Sequence, residues 1–327
     1  MEGKIKMKNL NDAFLDYNDA KRIRNTKYND MKEKIETIIN EIKDSGETVS
    51  FSTIYLGSYA TKTGVEYNDK DYDIDVGVRL NIVESDLSDN DAEQHKVSVY
   101  EAIKKLRKRD FHTMCVSAKY FNDEKPLYHI DFPVYAYDQE SDIYYIAKGK
   151  RGDVVWEICE PKKLIDFLKF DNQKEEVVEA YRRAIRYLKL WKNKVFSQEP
   201  KYSYPPSIAI NLTARMVFEK ITCSDEIDNL ISVSKALLEQ ISTNVNLKLP
   251  FKPYSNVFDK MNSDNKNIEI YTNKLKFLID SLKDAKNIAS SSLEEACKIL
   301  QKVFPDFPLP DKEDVDESFT PTGSYGK

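Results

Sequence analysis

The feature that most restricts this chain is a change of periodicity at Pro161. Before it, short runs rich in β-branched and aromatic residues alternate apolar with polar positions, as strands with one buried face do. After it, apolar residues recur at three- and four-residue spacing over 162–169, 173–196, 206–221, 226–242, 267–284 and 291–303, which predicts successive helices. The expectation is a mixed α/β half followed by a helical half.

Within the first half, residues from about Asn9 to Asp44 contain no Gly or Pro, and Ile35, Ile38, Ile39 and Ile42 recur at helical spacing. One long amphipathic helix is predicted, ending near Gly46. FSTIYLG (51–57) follows as a strand, and in DIDVGVRL (73–80) Ile74, Val76 and Val78 alternate with Asp73, Asp75 and Gly77. Residues 91–109 read as a helix whose terminal KKLRKR suits the helix dipole. HTMCVSAKYF (112–121), LYHIDFPVYAY (128–137) and DIYYIAKG (142–149) read as further strands. The domain division expected is 1–160 as a catalytic lobe carrying the long N-terminal helix, 161–307 as a helical lobe, and 308–327 as an acidic, aperiodic, mobile tail.

Composition excludes several functions. With 50 basic against 55 acidic side chains and a formal charge of -5, a domain devoted to gripping a nucleic-acid duplex is disfavoured. The cysteines at 115, 159, 223 and 297 form no C-x-x-C pair, so buried, reduced thiols are expected, not a zinc ribbon or disulfide framework. The N-terminus lacks the apolar core of a signal peptide, and no stretch approaches eighteen uninterrupted apolar residues. A cytoplasmic protein without a membrane span is the expectation.

Chemistry concentrates on three carboxylates. Residues two apart on a strand share a face, so Asp73 and Asp75 project side by side, a costly arrangement that divalent cations relieve. Asp131 lies between Ile130 and Phe132 and therefore also faces away from the core. An adjacent strand would bring it to the same pocket, where three carboxylates could hold two metal ions. Gly57-Ser58 ends the first strand, and the next segment could begin a short helix aimed at phosphate oxygens. His129 is two residues from Asp131 on the same predicted face, where a packed or solvent-exposed histidine is the expected state. These residues point to metal-assisted transfer of a nucleotide. They leave open whether the acceptor is another nucleotide, a protein, a tRNA end or a small molecule, or whether the fold only binds nucleotide.

The order Gly57-Ser58, fourteen residues, Asp73-Ile-Asp75, then Asp131 in HIDFP resembles the DNA polymerase β nucleotidyltransferase superfamily. GSYATKTGVEYNDKDYDIDVGV, YHIDFPVYAY, RRAIRYLKLWK and LQKVFPDFPLP together resemble the bacterial cyclic GMP-AMP synthase-like enzymes, the CD-NTases. The resemblance implies a polymerase β-like sheet lobe with a long N-terminal spine helix, packed on a C-terminal helical lobe. It implies that Asp73, Asp75 and Asp131 are catalytic and bind two Mg²⁺ ions, which Mn²⁺ can replace. Gly57, Ser58, Lys189 and Ser203 would bind nucleotide.

The implied activity joins NTPs, ATP among them, into a cyclic di- or trinucleotide with release of pyrophosphate. In bacteria this product signals to an effector in anti-phage defence (CBASS). The tail would be accessible to a conjugating accessory protein. A DNA activator is not expected, because the zinc insertion and basic surface of the animal DNA-sensing relative are not apparent.

Overall fold

The computed structural model describes residues 7–311 apart from 47, 67–71, 89–90, 105–107, 123–124, 197–204 and 222–224. The chain divides into two compact units: Arg22–Gln173 with Lys248–Asn256, and Met1–Lys21 with Lys174–Leu247 and Val257–Lys327. The expected boundary near 160 therefore shifts. Pro161–Lys169 (α5) belongs with the sheet, and the chain's first helix belongs with the helical unit.

The single helix expected over residues 9–44 is two, α1 (Leu10–Lys21) and α2 (Asn25–Asp44). Arg22 leaves the helix to form an antiparallel bridge with Val65, and the Ile23 N–H bonds the Gly64 carbonyl at 3.5 Å. No breaker residue marks this point; tertiary pairing overrides local helix propensity. In the sheet unit, α2 buries Met31, Ile35, Ile38, Ile39 and Ile42, the stripe its spacing predicts.

The sheet unit continues with β1 (Phe51–Tyr55), α3 (Gly57–Thr61), β2 (Tyr72–Asn81), a short turn of 3-10 helix at Glu84–Asp86, and α4 (Asp91–Ala102). Then come β3 (Lys108–Phe111), β4 (Val116–Asn122), β5 (Lys125–Phe132), β6 (Val134–Asp138), β7 (Ile143–Lys148) and β8 (Val155–Cys159). β2 is the organising strand. β1 pairs antiparallel with its second half, while β5 and then β6 run parallel to it on the other side. Pro133, which has no N–H for the ladder, splits the one strand expected over 128–137. Register is nevertheless kept, from Tyr72 opposite Tyr128 to Val78 opposite Val134, and the Val78 N–H bonds the Pro133 carbonyl at 2.9 Å. β4 pairs with β5 and β3 with β4, while β7 pairs with β6 and β8 with β7, all antiparallel.

The helix expected over residues 91–109 stops at Ala102, and part of its basic run enters β3. There the Arg109 guanidinium lies 4.0 Å from the centre of the Tyr100 ring and donates to the Tyr100 carbonyl, contacts worth more than a solvated helix end. β8 was not expected: it is five residues long, and its central Glu157 interrupts the apolar signal. One core gathers the inward side chains of this unit, among them Ile35, Ile74, Val76, Val78, Val99, Val116, Ile130, Phe132 and Val134.

The helical unit contains α1, α6 (Glu175–Phe196), α7 (Ser207–Phe218), α8 (Glu226–Thr243), α9 (Asn265–Ile288) and α10 (Leu293–Gln301). Each of α6 to α10 falls within a few residues of its predicted span. Phe14 and Tyr17 of α1 meet Tyr187 of α6 and Phe304 and Phe307 after α10 in an aromatic cluster with centroids 5.0 to 6.2 Å apart. The two phenylalanines of the closing FPDFP segment are therefore core. Among the described residues, no helix is long and apolar enough to cross a membrane.

Candidate active site

Asp73 and Asp75 stand on the outward face of β2 because Ile74 and Val76, at 1% and 0% exposure, hold the other face in the core. Asp131 is placed likewise on β5 between buried Ile130 and Phe132. The parallel register sets Asp75 directly opposite Asp131. One carboxylate oxygen from each of the three lies within 4.8 Å of the others. Asp73 is exposed, and Asp75 and Asp131 are half-buried.

The turn after β1 abuts this cluster. The Leu56 N–H bonds the Asp75 carbonyl at 2.9 Å, and Gly57 follows with φ +56° at the start of α3. A Cβ on Gly57 would sit 1.9 Å from Asp75 Oδ2, so both the backbone conformation and the carboxylate's space favour glycine. Ser58 is the next residue of α3, whose turn closes with the Thr63 N–H on the Ser58 carbonyl at 3.0 Å. Below, Gly77 leaves room for the Tyr135 ring and Ile54, which a Cβ would meet at 2.8 and 2.7 Å.

Asp131 is held from two strands. Ser117 lies opposite it on β4, fully buried, and its hydroxyl donates a hydrogen bond to Asp131 Oδ1. His129 Nε2 is 3.2 Å from the same oxygen, so the histidine is neither simply packed nor simply solvated. Burial alone would raise the Asp131 pKa. The His129 imidazole beside it and the hydrogen bond from Ser117 outweigh it and hold the carboxyl below its usual range. Cys115 Sγ lies 3.7 Å from Ser117 Oγ, and burial, with the Asp131 charge, pushes its thiol up to about 12.

The loop entering β4 is fixed from α4. Lys96, with no exposed surface, donates to the carbonyls of His112, Thr113 and Gly149 at 2.8, 2.9 and 3.1 Å. Burial lowers its pKa to about 8. Neither Ser117 nor Lys96 was singled out from sequence. Ser117 alternates with buried Val116 and Ala118, a signal that marks a strand face without identifying its neighbour.

Of the other expected site residues, Lys189 is buried on α6 of the helical unit at 6% exposure. Ser203 lies outside the described residues, as does the tail from 312. Cys115, Cys159 and Cys297 are buried and form no disulfide, while Cys223 lies outside the described residues.

The glycine turn and the three carboxylates all fall within residues 53–135, which match the family described as cyclic GMP-AMP synthase DncV-like, nucleotidyltransferase domain. This segment is similar to a DncV-like nucleotidyltransferase domain. The structural likeness extends beyond the matched residues. The 3′-deoxy GTP-bound form of Vibrio cholerae DncV superposes with a TM-score of 0.75 at 15% identity, over 94% of this chain and 97% of that one. DncV in complex with the linear intermediate 5′ pppA(3′,5′)pG gives 0.72 at 15% identity, over 91% and 97%. The Bradyrhizobium diazoefficiens CD-NTase CdnG in complex with GTP gives 0.69 at 14% identity, over 92% and 97%. Among curated proteins, none matches by sequence. Over most of its length the chain thus has the fold of DncV and CdnG, as the resemblance implied.

Proposed function

We propose that this nucleotidyltransferase joins NTPs, ATP among them, into a cyclic di- or trinucleotide second messenger with release of pyrophosphate. The observation that carries the reading is the meeting of Asp73, Asp75 and Asp131 beside a glycine turn in which a side chain would crowd Asp75. The donor set suits Mg²⁺ or Mn²⁺: three carboxylates, all hard oxygen ligands, in a half-exposed cluster whose mutual repulsion calls for a cation.

Asp73, Asp75 and Asp131 would hold the metals. When bound, two divalent ions neutralise triphosphate charge and stabilise the attacking and leaving oxygens of an in-line displacement. Asp75 is kept in place by the backbone bond to Leu56, and Asp131 by Ser117 and His129. Ser58 and Gly57 would receive donor phosphate at the open turn. We assign Lys189 and Ser203 to nucleotide binding on the RYLKLWK motif and its downstream spacing. Burial of Lys189 on α6 supports a role other than that of a solvated surface lysine.

DncV and CdnG, bound in crystals to nucleotides or to a linear dinucleotide intermediate, support another nucleotide as acceptor. A role in bacterial anti-phage signalling through an effector follows from the same resemblance.

Incubation with Mg²⁺ and four labelled NTPs followed by phosphatase is expected to leave a resistant cyclic product. Asp73→Ala combined with Asp75→Ala should abolish NTP consumption with the thermal midpoint little changed. Wild-type turnover in that variant would defeat the site assignment, and label found only on protein or tRNA would defeat the cyclic product.

A further inference from the structure

Asp131 is a candidate ligand with one oxygen already committed. Ser117 Oγ and His129 Nε2 both address Oδ1, from the neighbouring strand and from Asp131's own strand. Ser117 is 1% exposed and directly opposite Asp131 in the β4–β5 register, so its hydroxyl has no solvent alternative. Its other neighbour is the Cys115 thiol, a weak donor that leaves the serine proton directed at the carboxylate. The Lys96 clamp on the carbonyls of His112 and Thr113 fixes the segment from which β4 departs.

We propose that Ser117, assisted by His129, is a positioning residue for metal binding: the pair occupies Asp131 Oδ1, locks the carboxylate's rotation, and so presents Oδ2 to the ions shared with Asp73 and Asp75. The inference rests on the metal-site reading above and adds to it a specific division of labour between the two oxygens of one carboxylate. The physical reason is general. A ligand oriented by an outer hydrogen bond loses less freedom on binding, and removing such a partner typically weakens metal affinity by about 10–100-fold.

The test uses the full-length protein without nucleotide and Mn²⁺ alone as probe, with free Mn²⁺ counted by electron paramagnetic resonance. Ser117→Ala is expected to weaken Mn²⁺ binding about tenfold, and Ser117→Thr, which keeps the hydroxyl, to restore it to within about twofold of wild type. A merely structural serine would not follow the presence of the hydroxyl in this way. Should Ser117→Ala lose its fold by circular dichroism, Ser117→Cys, close in shape and a weaker donor, is expected to show the same weakening. Asp131→Asn separates the two levels of the argument. If Asp131→Asn loses Mn²⁺ while Ser117→Ala binds it as wild type does, the positioning role is overturned and the metal site stands. If Asp131→Asn also binds Mn²⁺ as wild type does, the metal-site reading falls, and this inference with it.

Discussion

The sheet unit and the helical unit use buried polar groups in opposite ways. In the sheet unit, strand register brings three carboxylates together, with a buried serine and a histidine at 3.2 Å set against one of them and a glycine turn beside another. In the helical unit, buried charge is largely matched within the protein. Arg183 bonds Glu226 at 2.7 Å, Arg182 bonds Glu179 at 2.8 Å, and Arg215 bonds Glu219 at 2.6 Å, around a core of aromatic rings. A paired charge rigidifies, whereas a like-charged cluster stores repulsion that a bound cation releases. The difference separates a unit whose buried charges are paired from one whose carboxylates gather at a single point.

Three substitutions sharpen or break that contrast. Trp191→Ala, on α6 between Phe196 and Tyr271, should cost about 3–5 kcal/mol of stability in urea denaturation. Mn²⁺ affinity below the unfolding transition should remain that of wild type; a parallel loss of affinity would show that the helical core also shapes the metal site. Gly57→Ala should reduce NTP turnover at least about 100-fold, or roughly 2.7 kcal/mol of barrier, because the new Cβ displaces Asp75 Oδ2. Retained turnover would mean that the turn can relax away from Asp75.

The smallest effect concerns acid. Hydrogen bonding holds the Asp131 carboxyl below its unfolded value despite burial, so its stabilising contribution is present above about pH 4. It is lost as pH falls through the lower, folded value. In metal-free protein, the stability difference between wild type and Asp131→Asn should therefore narrow on acidification below pH 4; a constant difference would refute the assignment.

Much of the site was legible because strand alternation is a local property. Ile74, Val76, Ile130 and Phe132 announce their buried faces, and Asp73, Asp75 and Asp131 must then point the other way. Gly57 was recognisable as a turn, and helices α6 to α10 by their spacing. The break after Lys21 was not legible, since it depends on Val65 capturing Arg22 across more than forty residues. Nor was the end of α4, where Arg109 turns back on Tyr100.

By itself, the sequence determined which side chains face outward, where periodicity changes and which carboxylates are available for chemistry, because these follow from the pitch of strands and helices. Tertiary structure alone decided that Asp75 and Asp131 are register partners, that Asp75 Oδ2 occupies the space Gly57 leaves, and that Ser117 and His129 converge on one oxygen of Asp131. Those facts depend on pairing between strands distant in sequence, and register across such distances is set by the packing of the whole sheet.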